Sequence, residues 1–512
     1  MKGFVMTVRR TLATSTVALC ISITGAPLWA DVSPQQVWDD WQAYFEGLGY
    51  QLEASESQSG GNLVISDMTM SVDVPEEGAS ASMSISELVL ADNGDGTVTV
   101  SFPANMPLRL MGRDDEGQEV QTVLDVSNEG LVMTVAGDPD DLTYSYAAAR
   151  LTMALDEIVA DGTPVEFGDA SMTIANLAGT TTMTMAALRD TTQDFSAGPV
   201  SYDLDIIDPE TGGRMVAKGG YESIAFKGDT KIPLEVSGSD MAGMLRDGFA
   251  LDGGFTFAAG SSEFSFEEDD QTLEGSTASR GGQLDVRMSG DQLHYGGKAE
   301  GMELNMQTSD LPFPVAFATE TFGLDLMFPV LESEEAQDFA ARFTLSDFTM
   351  SEMIWAMFDP GAQLPRDPAT VAFDLAGKAR LFFDLLDPEQ AEAMDDSDAV
   401  PAELETLALN SLTVRLAGAE LTGEGAFTFD NTDLETFDGM PAPTGTLDLR
   451  LVGGNALLDK LVAMGLVPQD QASGMRMMMG LFARPGSGED ELVSTIEVNE
   501  EGHVLANGQR IQ

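Results

Sequence analysis

From Gly61 to about Lys231, apolar and polar residues alternate with a period of two, which suits a pleated strand with one wet face and no helix. Residues 62–74 alternate without a break. Residues 81–90, 96–102, 130–135, 171–174 and 182–185 repeat the pattern. Between them stand acidic turn signals: Asp92-Asn93-Gly94-Asp95-Gly96, Asp114-Asp115-Glu116-Gly117, Gly137-Asp138-Pro139-Asp140, and the stretch from Asp208 to Gly213. Long strands joined by tight turns predict a mainly β fold. The expectation is one or two long, twisted antiparallel sheets built from hairpins, with a few short capping helices.

The strand pattern is interrupted in few places. Ser33, Pro34 and Gln36 form a capping box with proline in the first turn, and Val37, Trp38, Trp41, Tyr44 and Phe45 follow at helical spacing. That stripe predicts a helix closing one end of a sheet. The same residues also make a candidate docking face, with Trp38, Trp41 and Phe45 as its anchors. Further helices are expected over 239–249, 332–339, 351–358, 455–464 and 471–481. Strands are expected around them, among them 419–430 and 444–452. An acidic, proline-containing linker is expected near 387–403. These breaks divide the chain into an export segment (1–30), a helix plus β-meander (31–235), a mixed β segment with short helices (236–400), and a C-terminal β/helix segment (401–512). The last is expected to continue the preceding sheet.

Lys2, Arg9 and Arg10, the uncharged stretch from Thr11 to Ala30, and the acidic Asp31 have the order of a secretory signal, with cleavage expected after Ala30. Beyond Ala30 no apolar run reaches the roughly 18–20 residues of a membrane span, so the mature chain is expected to lack one. Cleavage also removes Cys20, the sole cysteine, which leaves packing alone to hold the exported chain together.

Charge narrows the function. The chain carries 85 Asp+Glu against 25 Lys+Arg, a formal net charge of −60. Nucleic-acid binding is excluded because it needs a basic face to release counterions. Cysteine-ligated metal centres and disulfide scaffolds are excluded by the cysteine count. The acidity reads as a solvated surface that keeps the protein soluble. The two histidines, His294 and His503, stand on separate stretches, and neither a Gly-x-Ser-x-Gly elbow nor a phosphate loop is present. Asp92 to Thr97 resembles a calcium loop but lacks its first and twelfth ligands; hairpin chemistry explains it better. Met475, Met477, Met478 and Met479 raise Cu(I) capture, yet the 29 methionines are spread along the chain and suit adaptable packing or apolar grooves. No cofactor, metal or catalytic residue is assigned.

Val37-Trp38-Asp39-Asp40-Trp41, Gly47-Leu48-Gly49-Tyr50, Asp95 to Val100, Trp355, Asp359-Pro360 and Leu364-Pro365 together resemble an uncharacterised family of exported Gram-negative proteins, a domain of unknown function. The C-terminal segment, with Gly423 to Phe427, Pro443 to Leu449, Asn455 and its closing helices and strands, is similar in layout to AsmA-like envelope proteins. That likeness implies a long curved sheet whose apolar inner face shelters lipid tails. The expected function is a non-enzymatic periplasmic envelope protein that binds lipid or another apolar ligand along a β-groove. The alternative is an assembly protein that docks an envelope partner through the Trp38/Trp41 helix or a sheet edge. A carbohydrate-active enzyme with two carboxylates is a third reading, resting only on the abundance of acids.

Overall fold

The computed structural model describes residues 31–47, 49–74, 79–113, 119–209, 211–234, 241–387, 390 and 400–512. The export segment 1–30, the turn at 114–117 and most of the linker 387–403 lie outside them. Among the described residues a single antiparallel sheet of 27 strands runs from one end of the chain to the other. Its ladder passes from Ile224–Pro233 into Ala250–Glu268, and from Ala369–Leu381 into Ala402–Leu416, without a gap.

In the N-terminal half, long strands alternate with pairs of short ones laid end to end. Asp141–Ala160 takes Val132–Asp138 along its first half and Glu119–Glu129 along its second. Gly168–Met185 likewise carries Leu188–Ala197 and Val200–Ile207. These lanes continue into Ile224–Pro233 and Arg214–Tyr221 until Ala250–Glu268 spans both again. From there the sheet is a plain meander to Glu491–Val498, skipping only the short Arg484–Pro485.

Strands this long keep one apolar face only by slipping their pleat. In Asn62–Val74 the buried residues are Leu63 and Ile65, then Met68. The ladder pairs Ser66 with Glu87 and Met68 with Ile85, skipping Asp67, which stands at φ 50°. Ser86 is skipped opposite it, so the register to Ala79–Asp92 holds, while on the side of Gln51–Ser59 the ladder shifts by one. The left-handed residue resets the pleat and moves the apolar set from odd to even positions without moving it off the face. Asn176 (φ 53°), Gly301 (φ 55°) and Asp347 (φ 49°) occupy the same mid-strand place. Asp, Asn and Gly are the residues that tolerate that conformation.

Helix α1, Pro34–Gly47, starts on the expected capping box: the Ser33 N–H donates to Gln36 Oε1 at 2.9 Å, and the Gln36 N–H to Ser33 Oγ at 3.4 Å. It lays Val37 and Trp38 onto the sheet, where they join Ile65, Leu88, Leu90, Val98, Val100, Val135 and Leu142 in the main buried cluster. Helix α2 is Met241–Arg246, α3 is Glu352–Phe358, α4 is Gly454–Ala463 and α5 is Gln469–Phe482.

The helix expected over 332–339 does not form. The Glu332 N–H donates to the buried Asp384 carboxylate at 2.9 Å and the Ser333 N–H to the Leu381 carbonyl at 3.2 Å, which ties this irregular stretch to the end of the strand Ala369–Leu381. Gln337 onward then joins the strand Gln337–Met350, where Phe339, Ala341 and Phe343 alternate. The Asp92–Thr97 hairpin also differs from a two-residue turn: five residues connect Asp92 to Val98, with Gly94 and Gly96 at positive φ.

After α3, Asp359 fixes the chain. Its buried carboxylate accepts the N–H groups of Gln363 and Leu364, each at 2.9 Å, and Arg366 Nη1 at 2.6 Å, while the Arg366 guanidinium lies 4.3 Å over Trp355. Burial works against the ionised form, but these donors outweigh it and hold the carboxyl below its ordinary value.

The opposite face of the sheet is where the few cations are used. Lys218 faces Asp203, Lys227 faces Asp194, and Arg287 faces Asp252 across adjacent strands. Arg342 bridges Asp325 at 2.9 Å and Asp374 at 3.1 Å. Such exposed pairs are screened by solvent, so they fix register more than they stabilise.

Candidate apolar groove

Residues directly opposite in a ladder share a face, so one can be followed from strand to strand. Starting at Leu63 the row reads Leu90, Val100, Met133, Tyr146, Gly179, Phe195, Phe226, Phe255 and Leu284. It goes on through Gly297, Leu324, Phe343, Phe373, Leu412, Gly423 and Leu449. No polar side chain interrupts it until Ser494. At ~4.8 Å per strand, this apolar row is about 80 Å long.

Glycines in the row make room for their neighbours. A Cβ on Gly179 would come within 2.7 Å of the Tyr146 ring and of Phe195. The aromatic rings then lie across the gaps: Phe195 stacks on Phe226 at 5.3 Å between centroids, and Phe343 on Phe373 at 5.9 Å.

Two helices cover the ends of this face. Helix α1 lies over the first strands. At the other end α5 brings Met478, Met479 and Phe482 over Leu421, Leu449, Leu451, Leu492 and Ile496, with a gap of about 370 Å³ between them. Met477 on the same helix is 77 % exposed.

Between the helices the face is open. A cleft of about 480 Å³ is lined by Tyr202, Tyr221, Phe257, Thr277, Met302, Phe317, Phe322, Leu345 and Phe348, which come from neighbouring strands. The strands that share this cleft span about 30 Å of the sheet. Small residues, Gly260, Ser262, Thr277, Ser279 and Ala299, lie among these walls. Tyr221, Met302 and Phe322 are 40 %, 40 % and 41 % exposed. Large apolar side chains left this open mark a binding face more often than a core.

Of the candidate docking residues, Trp38 is wholly buried and donates Nε1–H to Glu56 Oε1 at 2.8 Å. Trp41 and Phe45 are partly buried and line a second cavity beneath α1, of about 350 Å³. Asp40, one turn away, accepts Tyr144 Oη–H at 3.0 Å and Arg189 Nη2–H at 3.1 Å. Burial first, and then the Asp40 charge, push the Tyr144 phenol well above its ordinary value, so it stays a donor. Sequence reading missed Asp40, Tyr144 and Arg189, which lie far apart along the chain. The only signal was an arginine at an apolar-phase strand position. The histidines lie apart from both cavities: His294 pairs with Asp325 at 2.8 Å, and His503 with Glu501 at 3.1 Å.

A family model described as "Uncharacterized protein conserved in bacteria (DUF2125)" matches residues 227–507. That span starts within the strand Ile224–Pro233, contains the open cleft apart from Tyr202, Gly220 and Tyr221, and ends past Glu491–Val498. No curated protein and no solved structure matches the chain. With more than half of its length matched, the chain belongs to the DUF2125 family of bacterial proteins.

Proposed function

We propose that this protein is a non-enzymatic periplasmic binder of lipid acyl chains, which lie along the apolar face of the sheet between α1 and α5. The observation that carries the reading is the unbroken apolar row, with an open cleft along its central stretch. Transfer of an alkyl chain into such a face gains about 0.8 kcal/mol per buried CH₂, and the half-exposed rings of Tyr221 and Phe322 lose unfavourable contact with water at the same time. The floor of the cleft is mostly apolar, and the paired carboxylates of Asp194, Asp203 and Asp252 lie on the other side, which suits tails rather than headgroups. The likeness of the C-terminal segment to AsmA-like envelope proteins supports the same reading.

Filling the cleft tests it. Thr277 is exposed on the floor and Ser279 lies two residues further along the same strand face. The double variant Thr277→Trp, Ser279→Trp is expected to lower uptake of a fluorescent phospholipid, too large for the cavity beneath α1, by the delipidated protein at least tenfold, with far-UV circular dichroism unchanged. Equal uptake by variant and parent would remove the cleft from the account.

A further inference from the structure

The cavity beneath α1 has a chemistry that the open cleft lacks. Its body is lined by Met68, Met70, Met83, Met133 and Phe102, and Arg189 stands at its polar corner. Arg189 is only 8 % exposed. A guanidinium carries five N–H donors in a fixed fork, and a buried one needs acceptors for them. Among the described residues Arg189 has one oxygen partner, Asp40 Oδ1 at 3.1 Å. Its Nη1 points to the Met183 sulfur at 3.1 Å, a weak acceptor, and its flat face lies 4.4 Å over the Tyr44 ring. Asp40 in turn divides its oxygens between Arg189 and the Tyr144 hydroxyl. A largely buried cation with one oxygen acceptor therefore stands at the wall of a mostly apolar cavity, whose polar lining includes Thr181, Thr191 and Gln193.

We propose that this cavity binds a long-chain monocarboxylate, a fatty acid, with its carboxylate on the spare Arg189 donors and its alkyl chain among the methionines. A carboxylate matches the guanidinium fork in a way a neutral alcohol or ester does not. A monoanion suits the corner better than a dianionic phosphate, because the Asp40 charge lies beside the same guanidinium. Methionine side chains adapt to a flexible chain with no fixed shape, and about 350 Å³ lies within the usual range of small-molecule pockets. The proposal does not rest on the open cleft, since the two cavities are lined by different strands.

The test is equilibrium binding of radiolabelled palmitate and methyl palmitate to the protein carrying Thr277→Trp and Ser279→Trp, so that the cleft contributes nothing. Palmitate is expected to bind at one site per chain, at least tenfold tighter than its methyl ester. Adding Asp40→Leu with Arg189→Met removes both charges without leaving either unpaired, and should abolish the preference for the acid. Met70→Trp fills the cavity without touching the ion pair, and should abolish binding of both ligands. Absence of palmitate binding, equal affinity for acid and ester, or a preference that survives loss of Arg189 would each overturn the proposal. None of these outcomes bears on acyl uptake by the open cleft of the unsubstituted protein.

Discussion

Trp38→Ala is expected to cost about 3–5 kcal/mol of local stability, the range for truncating a buried Trp or Phe when the site does not collapse. Trp38 has no exposed surface and sits among Val37, Ile65, Leu88 and Leu90, in the cluster that holds α1 to the sheet. It also loses the hydrogen bond to Glu56, although the exposed carboxylate regains water and adds little. The effect should be confined to one end of the molecule. A long single sheet makes contacts mainly between neighbouring strands, so its ends open in separate units. Hydrogen exchange should show lost protection in α1, Asn62–Val74 and Ala79–Asp92, with Ala402–Leu416 and beyond unchanged. A loss below about 1 kcal/mol would mean that the sheet holds this end together without the helix.

The second large effect concerns the pair beneath that helix. Asp40→Ala leaves the Arg189 side chain, 10 % exposed, with a thioether and an aromatic ring in place of a carboxylate, and takes the acceptor from Tyr144. Breaking a buried pair from one side costs about 3–5 kcal/mol, because a desolvated charge is left uncompensated. Arg189→Met should cost a similar amount by stranding Asp40. The double replacement Asp40→Leu with Arg189→Met should recover most of the loss, since it removes the charges together and keeps the volume apolar. Urea unfolding of the four proteins, followed by Trp fluorescence, measures the coupling. Additive losses would show that the two groups do not act as a pair.

The sequence is informative wherever a local rule decides the structure. The Ser33/Gln36 box placed α1, and period two placed the sheet. The strand Ala419–Asp430 and the helices α3, α4 and α5 lie within a residue or two of their expected bounds. Local rules failed where a distant partner intervened. Residues 332–336 are tied to Leu381 and Asp384, some fifty residues on, and run directly into the strand Gln337–Met350 instead of forming a helix. Neither cavity was legible. Asp40 and Arg189 are 149 residues apart and meet only because α1 folds back over the strand Leu188–Ala197. The cleft is defined by small residues such as Gly260 and Thr277, whose role depends on which large side chains the neighbouring strands place beside them. Pleat slips at Asp67 and Asn176 hide the continuity of the apolar row, because they switch it between odd and even positions.

The mass of the protein purified gently from its own host, taken under native conditions and followed by organic extraction, shows whether the open face carries lipid. A groove that shelters acyl chains predicts phospholipid or other two-chain lipid adducts, released on extraction and absent from the Thr277→Trp, Ser279→Trp variant, which keeps only the single fatty acid proposed beneath α1. A clean, ligand-free mass with a reproducible protein partner would contradict it, and the open face would then be a docking surface for that partner.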